Sequence, residues 1–268
     1  MKCSLIITTY NWVDALDLVL KSVLQQSVKP QEVVIADDGS DERTLDLIKK
    51  YQAQSNLHII HSWQKDKGFR AAKSRNKAIA KASGDYIVLI DGDMILHKRF
   101  IEDHINRAEQ GFFIQGSRVL LTRSKTKSVL KKKQAAFSLF EKGLLNRKNM
   151  IHAPMTLSKL FSVDRNYLKG IKTCNMSFFK QDCLDVNGFN ESFEGWGRED
   201  SEFIVRMINN GIRRKNVRFC AIQYHIWHNE NSRVALASND QLLESAIDNH
   251  LAWCDIGIDQ YRASIQDR

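Results

Sequence analysis

The sequence predicts an α/β fold, a mostly parallel sheet flanked by helices. Three observations predict it. From Cys3 to Asp93, short β-branched and aliphatic runs alternate with stretches of helical period. The two types of stretch follow one another singly, as parallel strands joined by right-handed crossovers do. Polar residues gather where strands end, at Thr8-Thr9-Tyr10, Asp37-Asp38 and Asp91-Gly92-Asp93. That is the edge at which open α/β sheets take ligands.

The elements follow in order. Cys3 to Thr9 is a β-branched strand, and Tyr10-Asn11 is the turn leaving it. Val13, Leu16, Leu20, Val23 and Leu24 then fall on one helical face. Pro30 breaks the helix, and Val33 to Ala36 is the second strand. A helix carrying Leu45, Leu47, Ile48 and Tyr51 leads to a third strand at Leu57 to Ile60. Ala71 to Ala82 is a helix stopped by Ser83-Gly84. Tyr86 to Ile90 is apolar throughout, the mark of a strand buried on both faces. Phe100 to Glu109 reads as a helix and Phe112 to Leu121 as strands. The second half offers a strand at Lys172 to Phe179, a short helix at Asp182 to Val186 and a helix at Glu199 to Asn210. A strand at Val217 to Ile222 and a closing helix at Asp240 to Trp253 complete it.

Composition narrows the classes. With 43% hydrophobic residues the chain supports a large core, and no window approaches 18 consecutive apolar residues. Met-Lys-Cys-Ser leads straight into a strand with no hydrophobic leader, so the expectation is a cytoplasmic protein, in peripheral contact with a membrane at most. The five cysteines are scattered, with no C-x-x-C pair, and read as reduced core residues. A net charge of +9 suits an anionic partner. The turn after the first strand has neither G-x-G-x-x-G nor a Walker lysine, which excludes ordinary dinucleotide and P-loop sites. Residues 116–170 stand apart as a basic insertion between halves at 1–115 and 171–268 of a single 1–268 domain. Its lysines and arginines from Arg123 to Lys148 interleave with Val129, Leu130, Phe137, Phe140 and Leu144. Such a segment lies on an anionic membrane, grips a charged acceptor, or is simply a solvated face. No nucleic-acid module surrounds it, so nucleic acid is not the expected partner.

Three constellations carry chemistry. Asp91 and Asp93 sit ~6–7 Å apart along the chain, where they serve either as a turn or as ligands of a divalent metal holding a diphosphate. In Gly195-Trp196-Gly197-Arg198-Glu199-Asp200, acids at a helix start are explained by the dipole alone. A tryptophan between glycines is not, and it offers a face for a sugar ring beside a carboxylate base. His225 and His228 follow a strand; a carboxylate, a diphosphate and an imidazole together suit Mn²⁺.

These residues make the sequence resemble the inverting family-2 glycosyltransferases of the GT-A fold. The likeness rests on Ile6-Ile7-Thr8-Thr9-Tyr10-Asn11, Ile35-Ala36-Asp37-Asp38-Gly39-Ser40, Arg75-Asn76-Lys77-Ala78-Ile79 and Asp91-Gly92-Asp93. The second half is similar to a galactosyltransferase-type region through Cys174-Asn175-Met176-Ser177-Phe178, the tryptophan loop, and Tyr224-His225-Ile226-Trp227-His228. The resemblance implies a Rossmann-like sheet, with a nucleotide-binding first half and an acceptor-binding second half. It implies transfer of a hexose or N-acetylhexosamine from a UDP-sugar to a glycan or glycolipid hydroxyl with Mn²⁺ or Mg²⁺, in the manner of bacterial surface-polysaccharide synthesis. By position, Thr8 and Tyr10 would border the nucleoside, Asp38 would accept from uracil, and Arg70 and Arg75 would reach the nucleotide. Asp91 would meet the ribose or a water on the metal. Asp93 would bind the metal, with His225 or alternatively His228. Asn175 would line the donor-sugar pocket, and Trp196 and Gly197 would contact sugar. Asp200 would be the base, with Glu199 touching acceptor or donor sugar. Arg198 stands where the family usually has glycine, which suggests a contact to a charged acceptor. A sugar-phosphate nucleotidyltransferase and a non-catalytic glycan-binding module are the alternatives. The first lacks its glycine-rich basic signature here, and the second needs no base.

Overall fold

A computed structural model of the chain describes residues 1–164, 166–229 and 232–261. The first half follows the predicted alternation. β1 (Cys3–Thr9), α1 (Val13–Leu24), β2 (Glu32–Asp37), α2 (Glu42–Gln54), β3 (Ile59–Trp63), α3 (Ala71–Lys81) and β4 (Tyr86–Asp91) come in turn. α1 forms where its apolar residues recur every three or four positions, and it buries Leu16, Val19, Leu20 and Val23 against the sheet. α2 starts at Asp41, whose carboxylate accepts from the Arg43 backbone N–H and caps an otherwise unpaired donor.

The middle of the chain supplies β5 (Met94–Leu96), α4 (Phe100–Arg107), β6 (Phe112–Gln115), β7 (Val119–Leu121), α5 (Arg123–Lys132), β8 (Leu144–Leu145), α6 (Met155–Phe161) and β9 (Val163–Asp164). The second half adds β10 (Met176–Phe179), α7 (Lys180–Asp185), α8 (Glu199–Asn209), β11 (Arg213–Asn216), β12 (Gln223–His225) and α9 (Leu236–Asp248).

Eight strands form the main sheet in the order β3-β2-β1-β4-β10-β6-β11-β9. β1 to β4 are mutually parallel. β10 runs antiparallel between β4 and β6, so the chain's second half completes the sheet its first half begins. β6 and β11 are parallel to each other, and only β10 and β9 oppose the common direction. Apolar layers cover both faces. One contains Leu5, Ile7, Val33 and Val88 with α1, and the other Ile6, Val34, Ile87 and Leu89 with α3 and α8. This is why β1, β2 and β4 read as unbroken apolar runs.

A second sheet, β5-β12-β7-β8, packs on Ala15 and Leu18 of α1. Its register sets the site. β12 pairs antiparallel with β5, His225 opposite Met94, and the Ile226 N–H donates to the Asp93 carbonyl at 3.0 Å.

Two expected strands differ. The polar run at 213–216 is the strand, and 217–222 is an irregular connection in which Phe219 and Ala221 have φ of 59° and 50°. Those left-handed residues end the extension despite the apolar sequence. The Lys172 to Phe179 stretch begins as a helical turn over Thr173–Asn175, and only Met176–Phe179 is extended. The closing helix starts four residues before its expected Asp240, at Leu236.

Candidate active site

The carboxyl ends of β1, β2 and β4 meet in one crevice. Thr8 sits opposite Asp91 in the β1–β4 register, and its hydroxyl donates to Asp91 Oδ1 at 2.8 Å. Asp-Gly-Asp is also a tight turn, because β4 of the main sheet passes into β5 of the second sheet across only two residues. The Gly92 N–H donates to the Thr8 carbonyl at 2.6 Å, and a Cβ there would sit 2.8 Å from that oxygen. The turn throws Asp93 to the far side, toward the histidines.

Asp93, His225 and His228 converge. Both histidines bring Nε2 to Asp93 Oδ2, at 3.1 Å and 3.2 Å, and one ligand atom from each residue lies within 4.8 Å of the others. Asp93 Oδ1 is buried without a hydrogen-bond partner, a costly arrangement unless something occupies it. Burial opposes the ionised carboxyl, but hydrogen bonds from His225 and His228 outweigh it and hold Asp93 down at about 2. Its carboxylate in turn raises the His228 imidazolium above its ordinary range. A carboxylate with an open lone pair and two imidazole nitrogens is a donor set that fits a divalent metal. Both histidines lie at this point, so the fold brings together the two residues that the sequence offered as alternatives.

The opposite wall starts at the tryptophan loop. Gly195 has φ of 74°, and a Cβ there would lie 2.5 Å from that of Ala235, so this position admits only glycine. Trp196 is 38% exposed, with the Arg233 guanidinium 5.8 Å from its ring. Asn239 holds the loop from behind, its amide donating to the Glu194 and Gly197 carbonyls. Asp200 is half-buried at the start of α8, where it accepts from the Ser201 N–H at 2.7 Å. Burial, and then the charge of Glu199, push its carboxyl up to about 7 against the pull of Arg75.

Several expected contacts are placed differently. Arg75 is 4% exposed. Its guanidinium is held between Glu199 Oε1 at 2.9 Å and Asp91 Oδ1 at 3.7 Å. It therefore ties the two halves together, its far end claimed by Asp91 of the crevice and by Glu199. Asn175 is 1% exposed, and its amide is bonded to His104 Nε2 and to the Ser117 and Ala221 carbonyls. Its polar atoms are claimed by these three partners inside the fold. Arg198, left-handed at φ 76°, pairs with Asp240 of α9 and braces the loop. Asp38 directly follows β2. It accepts from Gln64 and from the Arg70 N–H, each at 2.6 Å, and burial raises its pKa. Arg70 joins the crevice wall through that N–H and turns its guanidinium to the Lys65 carbonyl. Tyr10 is exposed at the rim and donates to Asp66 at 2.8 Å.

Gln64, Asp66, His104 and Asn239 escaped notice in the sequence. Gln64 follows a strand end, a position that could have flagged it. His104 and Asn239 sit in ordinary helices and carry no local signal.

Comparison with known proteins now decides the family. A model of glycosyl transferase family 2 matches residues 4–175. The chain belongs to that family. A model described as the N-terminal domain of galactosyltransferase matches residues 156–229, the stretch holding the tryptophan loop and both histidines. Among family members, chondroitin synthase of Escherichia coli is 24% identical over 244 residues, covering 83% of this chain and 34% of its own. Cholesterol galactosyltransferase of Borreliella burgdorferi is 34% identical over 108 residues, 40% of this chain and 29% of its own. The chain thus spans about a third of the length of these relatives. A solved structure of S. aureus TarS with UDP superposes at a TM-score of 0.62 and 20% identity, over 100% of this chain and 71% of that one. The fold is GT-A.

Proposed function

We propose that this family-2 chain is a metal-dependent inverting glycosyltransferase. It moves a hexose or N-acetylhexosamine from a UDP-sugar to a hydroxyl of a glycan or glycolipid, forming a β linkage, in the assembly of bacterial surface polysaccharide or lipopolysaccharide. The observation that carries the reading is the convergence of Asp93, His225 and His228 around a buried, unpartnered carboxylate oxygen. Its relatives support it, since they include a chondroitin synthase, a hyaluronan synthase and a poly(ribitol-phosphate) beta-N-acetylglucosaminyltransferase.

The crevice sorts the donor. Asp38 retains lone pairs for the uracil N3–H after its bonds to Gln64 and Arg70. Thr8 and Tyr10 border the nucleoside, and Asp91, fixed by Thr8, faces the ribose. Asp93, His225 and His228 would hold the metal, which supplies positive charge to the departing diphosphate when bound. Trp196 gives the sugar a flat apolar face. Asp200 takes the proton of the acceptor hydroxyl as that oxygen bonds to the anomeric carbon. The bond from that carbon to the diphosphate oxygen breaks on the opposite face, so an α-linked donor gives a β-linked product. A carboxyl at about 7 is suited to this, being about half ionised at neutral pH yet far more basic than an ordinary aspartate. Arg75 keeps Glu199 and the start of α8 in register with Asp91.

A panel of UDP-sugars, scored for UDP release with Mn²⁺ and with EDTA, tests this. Release from at least one donor with Mn²⁺ and its loss in EDTA is expected. Equal release in both, or release of pyrophosphate from a nucleoside triphosphate and a sugar phosphate, would refute the proposal.

A further inference from the structure

The basic insertion is not used by the reaction. Residues 116–170 carry 13 Lys and Arg against two Asp and Glu, a net charge of +11, whereas the whole chain carries +9. All the positive excess is therefore concentrated there, and the remainder is slightly acidic. Two of these cations are neutralised within the fold, Lys125 by Glu141 and Lys133 by Asp17. Lys127, Lys131, Lys132, Lys142 and Lys148 make no ion pair among the described residues.

The same stretch exposes apolar side chains that an ordinary solvated face would not. Phe140 is 86% exposed and Leu160 is 77% exposed. Leu139 and Leu145 flank the first, and Leu157 and Phe161 lie on the same turns of α6 as the second. Lys142 and Lys159 lie within two residues of Phe140 and Leu160 in the sequence. Lysines alone would serve any polyanion. Protruding Phe and Leu side chains among lysines instead match a bilayer, whose acyl boundary takes the apolar groups while anionic headgroups take the cations. No helix among the described residues is long and apolar enough to cross a membrane.

We propose that residues 123–161 form a docking surface for an anionic lipid bilayer. The surface is anchored to the reaction site. The Trp227 N–H donates to the Thr126 hydroxyl of α5 at 2.9 Å, and the Arg123 guanidinium lies 5.0 Å from the Trp227 ring, one residue before His228. A bilayer held there brings a lipid-borne acceptor to the mouth of the crevice.

Flotation with phosphatidylglycerol–phosphatidylcholine vesicles and with pure phosphatidylcholine vesicles tests this, and it reads binding whether or not sugar is transferred. The protein is expected to float with the anionic vesicles only. A Phe140→Ser/Leu160→Ser variant should bind them about tenfold or more weakly, as should Lys131→Glu/Lys132→Glu, with UDP release on a soluble acceptor unchanged. Both pairs are solvent-exposed, so melting temperatures should stay at the parent value. Failure to bind anionic vesicles above the phosphatidylcholine level would overturn the proposal. So would full binding by the apolar variant together with complete competition by soluble polyphosphate, which would make the surface a polyanion site instead.

Discussion

Asp200→Asn should inactivate the enzyme and stabilise the protein, and the second effect should depend on pH. The carboxyl titrates at about 7 in the fold against an ordinary 3.8, because burial and the Glu199 charge disfavour its ionised form. A folded pKa above the unfolded one means the ionised group costs stability. The cost is absent below about pH 4 and complete above about pH 7. Allowing for residual solvent at a half-buried site, it amounts to roughly 2–4 kcal/mol. Asparagine removes it while keeping an oxygen for the Ser201 N–H. Thermal unfolding of the variant at pH 8.5 should therefore lie several degrees above the parent, with the gap closing toward pH 5. UDP release should fall ~10²–10⁴-fold with UDP affinity held within about twofold. In the parent, turnover should climb roughly tenfold between pH 6 and 8. A variant less stable than the parent at pH 8.5, or a pH-independent gap, would refute the raised carboxyl; turnover near the parent rate would refute the base.

Other expectations follow from the same geometry. Asp93→Ala should weaken Mn²⁺ binding at least a hundredfold by calorimetry, since it removes the carboxylate on which both histidines converge. In the parent, Mn²⁺ affinity should rise with pH through and above the ordinary histidine range. The proton that Asp93 holds on His228 must leave before metal binds, while Asp93 itself is ionised throughout. Arg75→Met should cost ~3–5 kcal/mol in urea unfolding, because it strands Asp91 and Glu199 without their shared cation. Gly195→Ala should depress turnover while sparing UDP affinity, because its Cβ meets Ala235 and shifts the tryptophan loop but not the nucleotide crevice.

Much of this molecule was legible in the residues, for identifiable reasons. β1, β2 and β4 are buried on both faces, so burial wrote itself as apolar runs, and the polar residues at their ends stood out by contrast. The tryptophan loop was legible because Gly195 sits at positive φ with the Ala235 side chain against it, a place that selects glycine. The second sheet was not legible. β5, β7, β8 and β12 are two or three residues long and carry no period. The β11 run Arg-Arg-Lys-Asn is a strand only because β6 and β9 flank it. For the same reason sequence left His225 and His228 as alternatives: their convergence depends on a β5–β12 register that no local pattern encodes. The partners of Arg75 were not legible because a helix face shows where a side chain starts, not which acids will claim its far end.

The central claim is that Asp93, His225 and His228 bind a divalent metal that anchors UDP. Titrating UDP into the parent protein by calorimetry, once with Mn²⁺ and once with EDTA, tests it most directly. Measurable UDP binding with Mn²⁺ that weakens at least tenfold in EDTA is expected. Equal affinity in the two buffers would contradict it.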